Sequence, residues 1–116
     1  MMPPMAVVET ETFLASAARL GMSDTQRSAL IIYLAGNPEA GVVVPETGGI
    51  RKLRWALPGR GKSGGARAIY YYQNQSVPLY ALDIYAKNQK ANLSAAEKKA
   101  ARKTVAAIIA EHKRRK

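Results

Sequence analysis

Ala66-Arg67-Ala68-Ile69-Tyr70-Tyr71-Tyr72-Gln73, Asn74-Gln75-Ser76 and Pro78-Leu79-Tyr80-Ala81-Leu82-Asp83-Ile84-Tyr85-Ala86 are two aromatic and aliphatic runs around a short polar stretch. Aromatic residues favour strands and the polar stretch suits a turn, so the segment predicts a pair of adjacent strands. Just upstream, Ile50 to Leu57 has a period of two: Leu53, Trp55 and Leu57 are apolar, while Lys52 and Arg54 share the opposite face. In the second strand Tyr71 falls on the side of Arg67 and Ile69, so the tyrosine run divides between two faces and half of it is packing. In the third, Tyr80, Leu82 and Ile84 are expected to face one way, and Asp83 and Tyr85 the other.

Outward from this core, Met5 to Thr12 reads as a short N-terminal strand and Phe13 to Leu20 as a helical stretch ending at Gly21. Ser23-Asp24-Thr25-Gln26 is a capping-box pattern for a second helix, with Leu30, Ile31 and Leu34 as its buried stripe. Gly36, as a left-handed cap, and Pro38 are expected to stop it. The connection 37–49 is rich in Pro, Gly and Glu, with a short extended contact at Val42-Val43-Val44. Ser94-Ala95-Ala96-Glu97 opens a last helix to about Glu111, with Ala101, Val105 and Ile108 against the sheet and Lys113 to Lys116 as a frayed basic tail. The order predicts an α+β fold: an antiparallel twisted β-sheet with two N-terminal helices and one C-terminal helix, in a single domain over 1–116.

Charge is the second signal. The chain carries 18 Lys and Arg against 8 Asp and Glu, a formal net charge of +10. Residues 1–50 hold two basic and five acidic groups, and residues 51–116 hold sixteen and three. The second part therefore attracts polyanions, with a gain from counterion release that falls with added salt. Arg51, Lys52, Arg54, Arg60, Lys62 and Arg67 stand with no acidic residue between them, around the glycine-rich run Gly59-Arg60-Gly61-Lys62-Ser63-Gly64-Gly65. Glycines permit close backbone approach and the cations neutralise phosphate, so a nucleic acid is the expected partner. The run formally matches dinucleotide and P-loop fragments. Both fail on context, because Ala56 replaces the first P-loop glycine and a strand follows where both motifs need a helix N-terminus.

With no cysteine and a single histidine, His112, expected at the surface, thiolate chemistry, serine-histidine catalysis and histidine-rich metal sites have no support. No long apolar run predicts a membrane span, and a cytoplasmic protein is the expectation. Chemistry falls to Lys, Arg and Tyr. These suit RNA cleavage by attack of a ribose 2′-hydroxyl on its neighbouring phosphate, which needs a proton acceptor, cations for the developing charge and a donor for the leaving 5′-oxygen. Neither a metal nor a cofactor is required. A solvated basic face on a binding domain has the same composition.

Four blocks resemble the RelE/HigB-like toxins of bacterial type II toxin-antitoxin systems. They are Asn37-Pro38-Glu39-Ala40-Gly41, Thr47-Gly48-Gly49-Ile50-Arg51-Lys52-Leu53-Arg54, the stretch from Gly59 to Tyr71, and Tyr85-Ala86-Lys87-Asn88-Gln89-Lys90-Ala91-Asn92-Leu93-Ser94. The resemblance implies a small toxin that enters the ribosomal A site, cuts messenger RNA and is silenced by an antitoxin, in this branch a helix-turn-helix protein. Operator DNA is reached only through that antitoxin. By the same resemblance Arg67 contacts the scissile phosphate, Arg60 and Lys62 are loop cations, Lys87 and Lys90 are basic groups after the last strand, and Tyr85 stacks or transfers a proton. Arg51, Lys52, Arg54, Tyr71, Lys98 and Arg102 are the expected RNA or ribosome contacts. The sequence departs from the family after Lys90, where Ala91-Asn92-Leu93-Ser94 offers no tyrosine or histidine, and the identities of general base and acid stay open. The same fold serves the ParE branch, which inhibits DNA gyrase, so a non-catalytic inhibitor and a non-toxic nucleic-acid-binding module remain as alternatives.

Overall fold

The computed structural model describes residues 5–57, 65–90 and 92–114. Chain order is β1 (Val7–Glu9), α1 (Glu11–Arg19), α2 (Asp24–Gly36), β2 (Val42–Val43), β3 (Ile50–Trp55), β4 (Ala66–Tyr71), β5 (Leu79–Ala86) and α3 (Ala95–Arg114). The strands form one sheet in the order β1-β5-β4-β3-β2. β2, β3, β4 and β5 pair antiparallel, whereas β1 runs parallel to β5 at the edge. The α+β architecture with two early helices and a late one is as expected, as is an N-terminal strand; its parallel pairing departs from the expected antiparallel sheet.

Alternation divides the sheet into two apolar faces. Ala66, Ala68 and Tyr70 of β4 join Leu79, Ala81 and Ile84 of β5 under Phe13, Ala17, Leu30 and Leu34 of α1 and α2. On the other face Ile50, Ile69, Tyr71 and Tyr85 meet Val105 and Ile108 of α3. The stripe Ala101, Val105 and Ile108 packs here as its spacing predicts.

Local chemistry moved several boundaries. β1 stops at Glu9 because the Thr10 hydroxyl accepts from the Phe13 amide and so caps α1, which therefore starts at Glu11 rather than at Phe13. The Ser23-Gln26 capping box forms as expected. Gly36 is the last helical residue and not a left-handed cap; Asn37 ends the helix, and its side-chain amide donates to the Tyr33 carbonyl. α3 extends to Arg114, so Lys113 is helical rather than part of a frayed tail. His112 is half-buried, its Nε2 2.9 Å from the Tyr80 hydroxyl, not a plain surface residue.

The face assignment in β5 also needs correction. Pairing steps from Ile69↔Asp83 to Tyr70↔Ala81, which leaves Leu82 as an extra residue. This bulge breaks the period of two. Tyr80 and Leu82 consequently pack with Tyr85 toward α3, while Ile84 points to α1 and α2.

Tyr70 fixes the approach to β2. Its buried hydroxyl accepts from the Gly41 amide and donates to the Pro38 carbonyl, both at 2.8 Å. A Cβ on Gly41 would lie 2.8 Å from the Tyr70 oxygen and 3.0 Å from the Lys52 carbonyl oxygen. Gly41→Ala is therefore expected to lose about 2–4 kcal/mol, from overpacking and from breaking a buried hydrogen bond, and chemical denaturation will measure it.

Candidate nucleic-acid interface

β-sheet register assembles the site. Arg54 of β3 lies opposite Arg67 of β4, and Arg67 lies opposite Tyr85 of β5. Directly opposite side chains in an antiparallel pair have Cβ atoms about 5 Å apart, and like charges there repel. α3 covers Ile50, Ile69 and Tyr71 on this face but leaves Arg54 exposed and Arg67 half-buried. Among the described residues neither arginine has a carboxylate partner; Arg67 Nη1 donates only to the Ala66 carbonyl, at 3.3 Å. Two facing guanidinium groups without a counter-charge are suited to an anion.

Tyr85 completes the row. It is only 5% exposed, and its buried hydroxyl has no hydrogen-bond partner among the described residues. Lys90 Nζ stands 4.6 Å from the centre of its ring. Burial pushes the phenol above its ordinary range, opposed by the positive charges of Lys90 and Arg67. The group therefore keeps its proton at neutral pH, with the charges of Lys90 and Arg67 nearby.

Lys90 is itself held by Glu97, whose carboxylate also accepts from the Ser94 amide in the α3 capping box. The Lys90 hydrogen bond and then the Ser94 amide hold Glu97 below the usual carboxylate range. A depressed folded-state pKa gives stability that is present above the ordinary glutamate pKa and lost as pH falls through the folded value. Glu97→Gln should accordingly flatten the acid limb of a Tm-against-pH profile below about pH 4, and change neutral-pH stability by less than about 1 kcal/mol because the pair is partly exposed.

The remaining expected site residues separate into two groups. Lys52 lies on the same face as Arg54, with Nζ 3.5 Å from Asn92 Oδ1, and Lys87 is exposed just past β5. Arg51, in contrast, is on the opposite face, donating to the Gly41 carbonyl at 2.7 Å and the Glu39 carbonyl at 3.2 Å. It pins the 39–41 loop instead of facing RNA. Tyr71, 5% exposed and packed beside Ile50 and Val105, is likewise a core ring and not a stacking platform. Lys98 pairs with Glu46 at 3.5 Å, and Arg102 donates to the Glu46 carbonyl. These two cations clamp the β2-β3 loop where Glu46 takes a φ of 67°. Arg60 and Lys62 lie outside the described residues.

Sequence reading missed two features. Arg54 belongs beside Arg67, which only strand register reveals, and Asn92 lines a cavity with both arginines and Lys52. Among the described residues no group of His, Cys, Asp or Glu could hold a metal ion, and no helix is long and apolar enough to cross a membrane.

Fold and site together define a small α+β protein that displays, on one sheet face, a cationic row with no carboxylate partner among the described residues. The family model described as the RelE toxin of the RelE/RelB toxin-antitoxin system matches residues 7–116. The chain belongs to this RelE toxin family. It is thus a toxin of a toxin-antitoxin system, and a cognate antitoxin is its partner.

Proposed function

We propose that this toxin is a ribosome-dependent messenger-RNA endonuclease, silenced by a helix-turn-helix antitoxin and acting in the bacterial cytoplasm. The observation that carries the reading is the Arg54-Arg67-Tyr85 row, in which two guanidinium groups without a carboxylate partner among the described residues adjoin a buried phenol whose hydroxyl has no hydrogen-bond partner among them. The arginines receive the non-bridging oxygens of the scissile phosphate and stabilise the charge that grows on them. The 2′-hydroxyl gives its proton to the neutral amine form of one of the surrounding lysines, of which Lys87 is exposed at the end of β5. Its oxygen bonds to phosphorus as the bond to the 5′-oxygen breaks. Tyr85, once RNA binding uncovers its hydroxyl, donates a proton to that leaving oxygen, and Lys90 and Arg67 stabilise the resulting phenolate. The products are a 2′,3′-cyclic phosphate and a 5′-hydroxyl end. Arg60 and Lys62 add charge from the β3-β4 connection.

Brief expression in bacteria, with new 5′ ends mapped on a translated and an untranslated copy of one transcript, tests the proposal. Cuts confined to the translated copy are expected. Growth arrest with both copies intact would replace this reading with gyrase-type inhibition, and neither effect would leave a binding module.

A further inference from the structure

Beyond the arginine row the same sheet face continues as a groove. A cavity of about 550 Å³ is lined by Arg67, Arg54, Lys52, Asn92 and Val42. A second, of about 200 Å³, shares Val42, Lys52 and Asn92 and runs on over Pro45 and Leu93. The two therefore adjoin, with Val42, Lys52 and Asn92 between them. Val42 pairs with Lys52 across β2 and β3, so its side chain is on the arginine face, and it is 73% exposed, the most exposed large apolar residue among those described.

An aliphatic side chain left open between cations calls for an occupant that is flat and apolar on its faces but attached to anions. Adjacent strands are about 4.8 Å apart, so β2 lies roughly 10 Å from β4, which gives room for a nucleoside beside a phosphate held by Arg54 and Arg67. Asn92 stands at the edge of this shelf, and among the described residues its side chain makes only the long 3.5 Å contact to Lys52. Its amide presents both a donor and an acceptor, the combination that reads a base edge. We infer that Val42 and Asn92 form a base-recognition subsite for the nucleotide adjoining the scissile phosphate, Val42 packing on the base face and Asn92 selecting its edge. This inference rests on the endonuclease reading and assigns that reading its specificity.

Two measurements on the full chain test it. In the 5′-end maps, Asn92→Ala is expected to reduce preference at one position next to the cut by tenfold or more while overall cleavage persists, and Val42→Asp to weaken cleavage at every site. Unchanged base preference in a cleaving Asn92→Ala variant overturns the subsite. Separately, a 2′-O-methyl dinucleotide, which cannot be cleaved by this route, is titrated against the labelled toxin. Amide shifts at Val42 and Asn92 together with Arg67 are expected. Shifts at Arg67 alone overturn the subsite and leave the endonuclease proposal standing, whereas no shifts and no cleavage overturn both.

Discussion

Tyr85→Phe is expected to leave the protein at least as stable as the parent and to slow messenger-RNA cleavage by 100-fold or more. The direction on stability follows from burial. A hydroxyl removed from water and given no partner costs free energy, so its deletion at constant ring volume is neutral or favourable. The ring itself remains beneath Lys90 and beside the α3 contacts, so packing is retained. The direction on activity follows from the proton that the leaving 5′-oxygen requires, since a positioned general acid typically contributes 10²- to 10⁴-fold. Thermal unfolding and single-turnover cleavage on programmed ribosomes measure the two effects together. A variant with parent-like cleavage would remove Tyr85 from proton transfer, and one that unfolds would show the hydroxyl to be structural.

Arg67→Ala is the second large effect. The guanidinium group sits between Arg54 and Tyr85 in the central strand, where it meets repulsion from one side and no carboxylate from any described residue. Such a placement is unfavourable for folding in the absence of a ligand, so removing the charge is expected to leave Tm unchanged or slightly raised. Loss of one preorganised cation or donor at a phosphoryl transition state lowers the rate by about 10²- to 10³-fold. Growth arrest should disappear when Arg67→Ala is combined with Lys87→Ala, as both are cations on this edge and neither is ion-paired among the described residues. A fully toxic, folded double variant would relocate the site. Arg51→Ala provides the contrast: by freeing the 39–41 loop it should lower stability, and through the loop it should act on cleavage only weakly.

Tyr85 and Arg67 are thus kept at some cost to the fold. The opposite applies to Lys98 and Arg102, which share the charge of the site residues but spend it on Glu46. Cations of one composition thus have two uses here, and hydrogen-bond partners distinguish them.

Several features of this chain were legible without coordinates. Periodicity placed Lys52 and Arg54 on one face and Leu53 and Trp55 on the other, and capping boxes at Ser23 and Ser94 marked two helix starts. These depend on neighbours within a few residues, which sequence reports directly. The short N-terminal strand was drawn too long because Thr10 reads as β-branched strand until its hydroxyl is seen capping α1. The reversal of Tyr80, Leu82 and Ile84 had no local signal, as a bulge is fixed by how β5 fits β4.

The candidate site was legible only as a set of residue types. Arg51 and Arg54 are three residues apart in one strand with similar surroundings in sequence, yet odd and even positions send one to the loop carbonyls at 39 and 41 and the other to the row with Arg67. Tyr71 and Tyr85 are both buried rings on the α3 face, and Tyr85 is set apart by a fully buried oxygen without a hydrogen-bond partner among the described residues and by the nearby charges of Lys90 and Arg67. Sequence by itself determined the strand-and-helix order, the basic face and the family blocks, because propensity, periodicity and charge are properties of short segments. Tertiary structure alone decided which cations have no carboxylate partner among the described residues, which tyrosine has a buried hydroxyl without a partner there and which cavity Asn92 and Val42 line together, because each of these depends on strand register and on contacts between residues tens of positions apart.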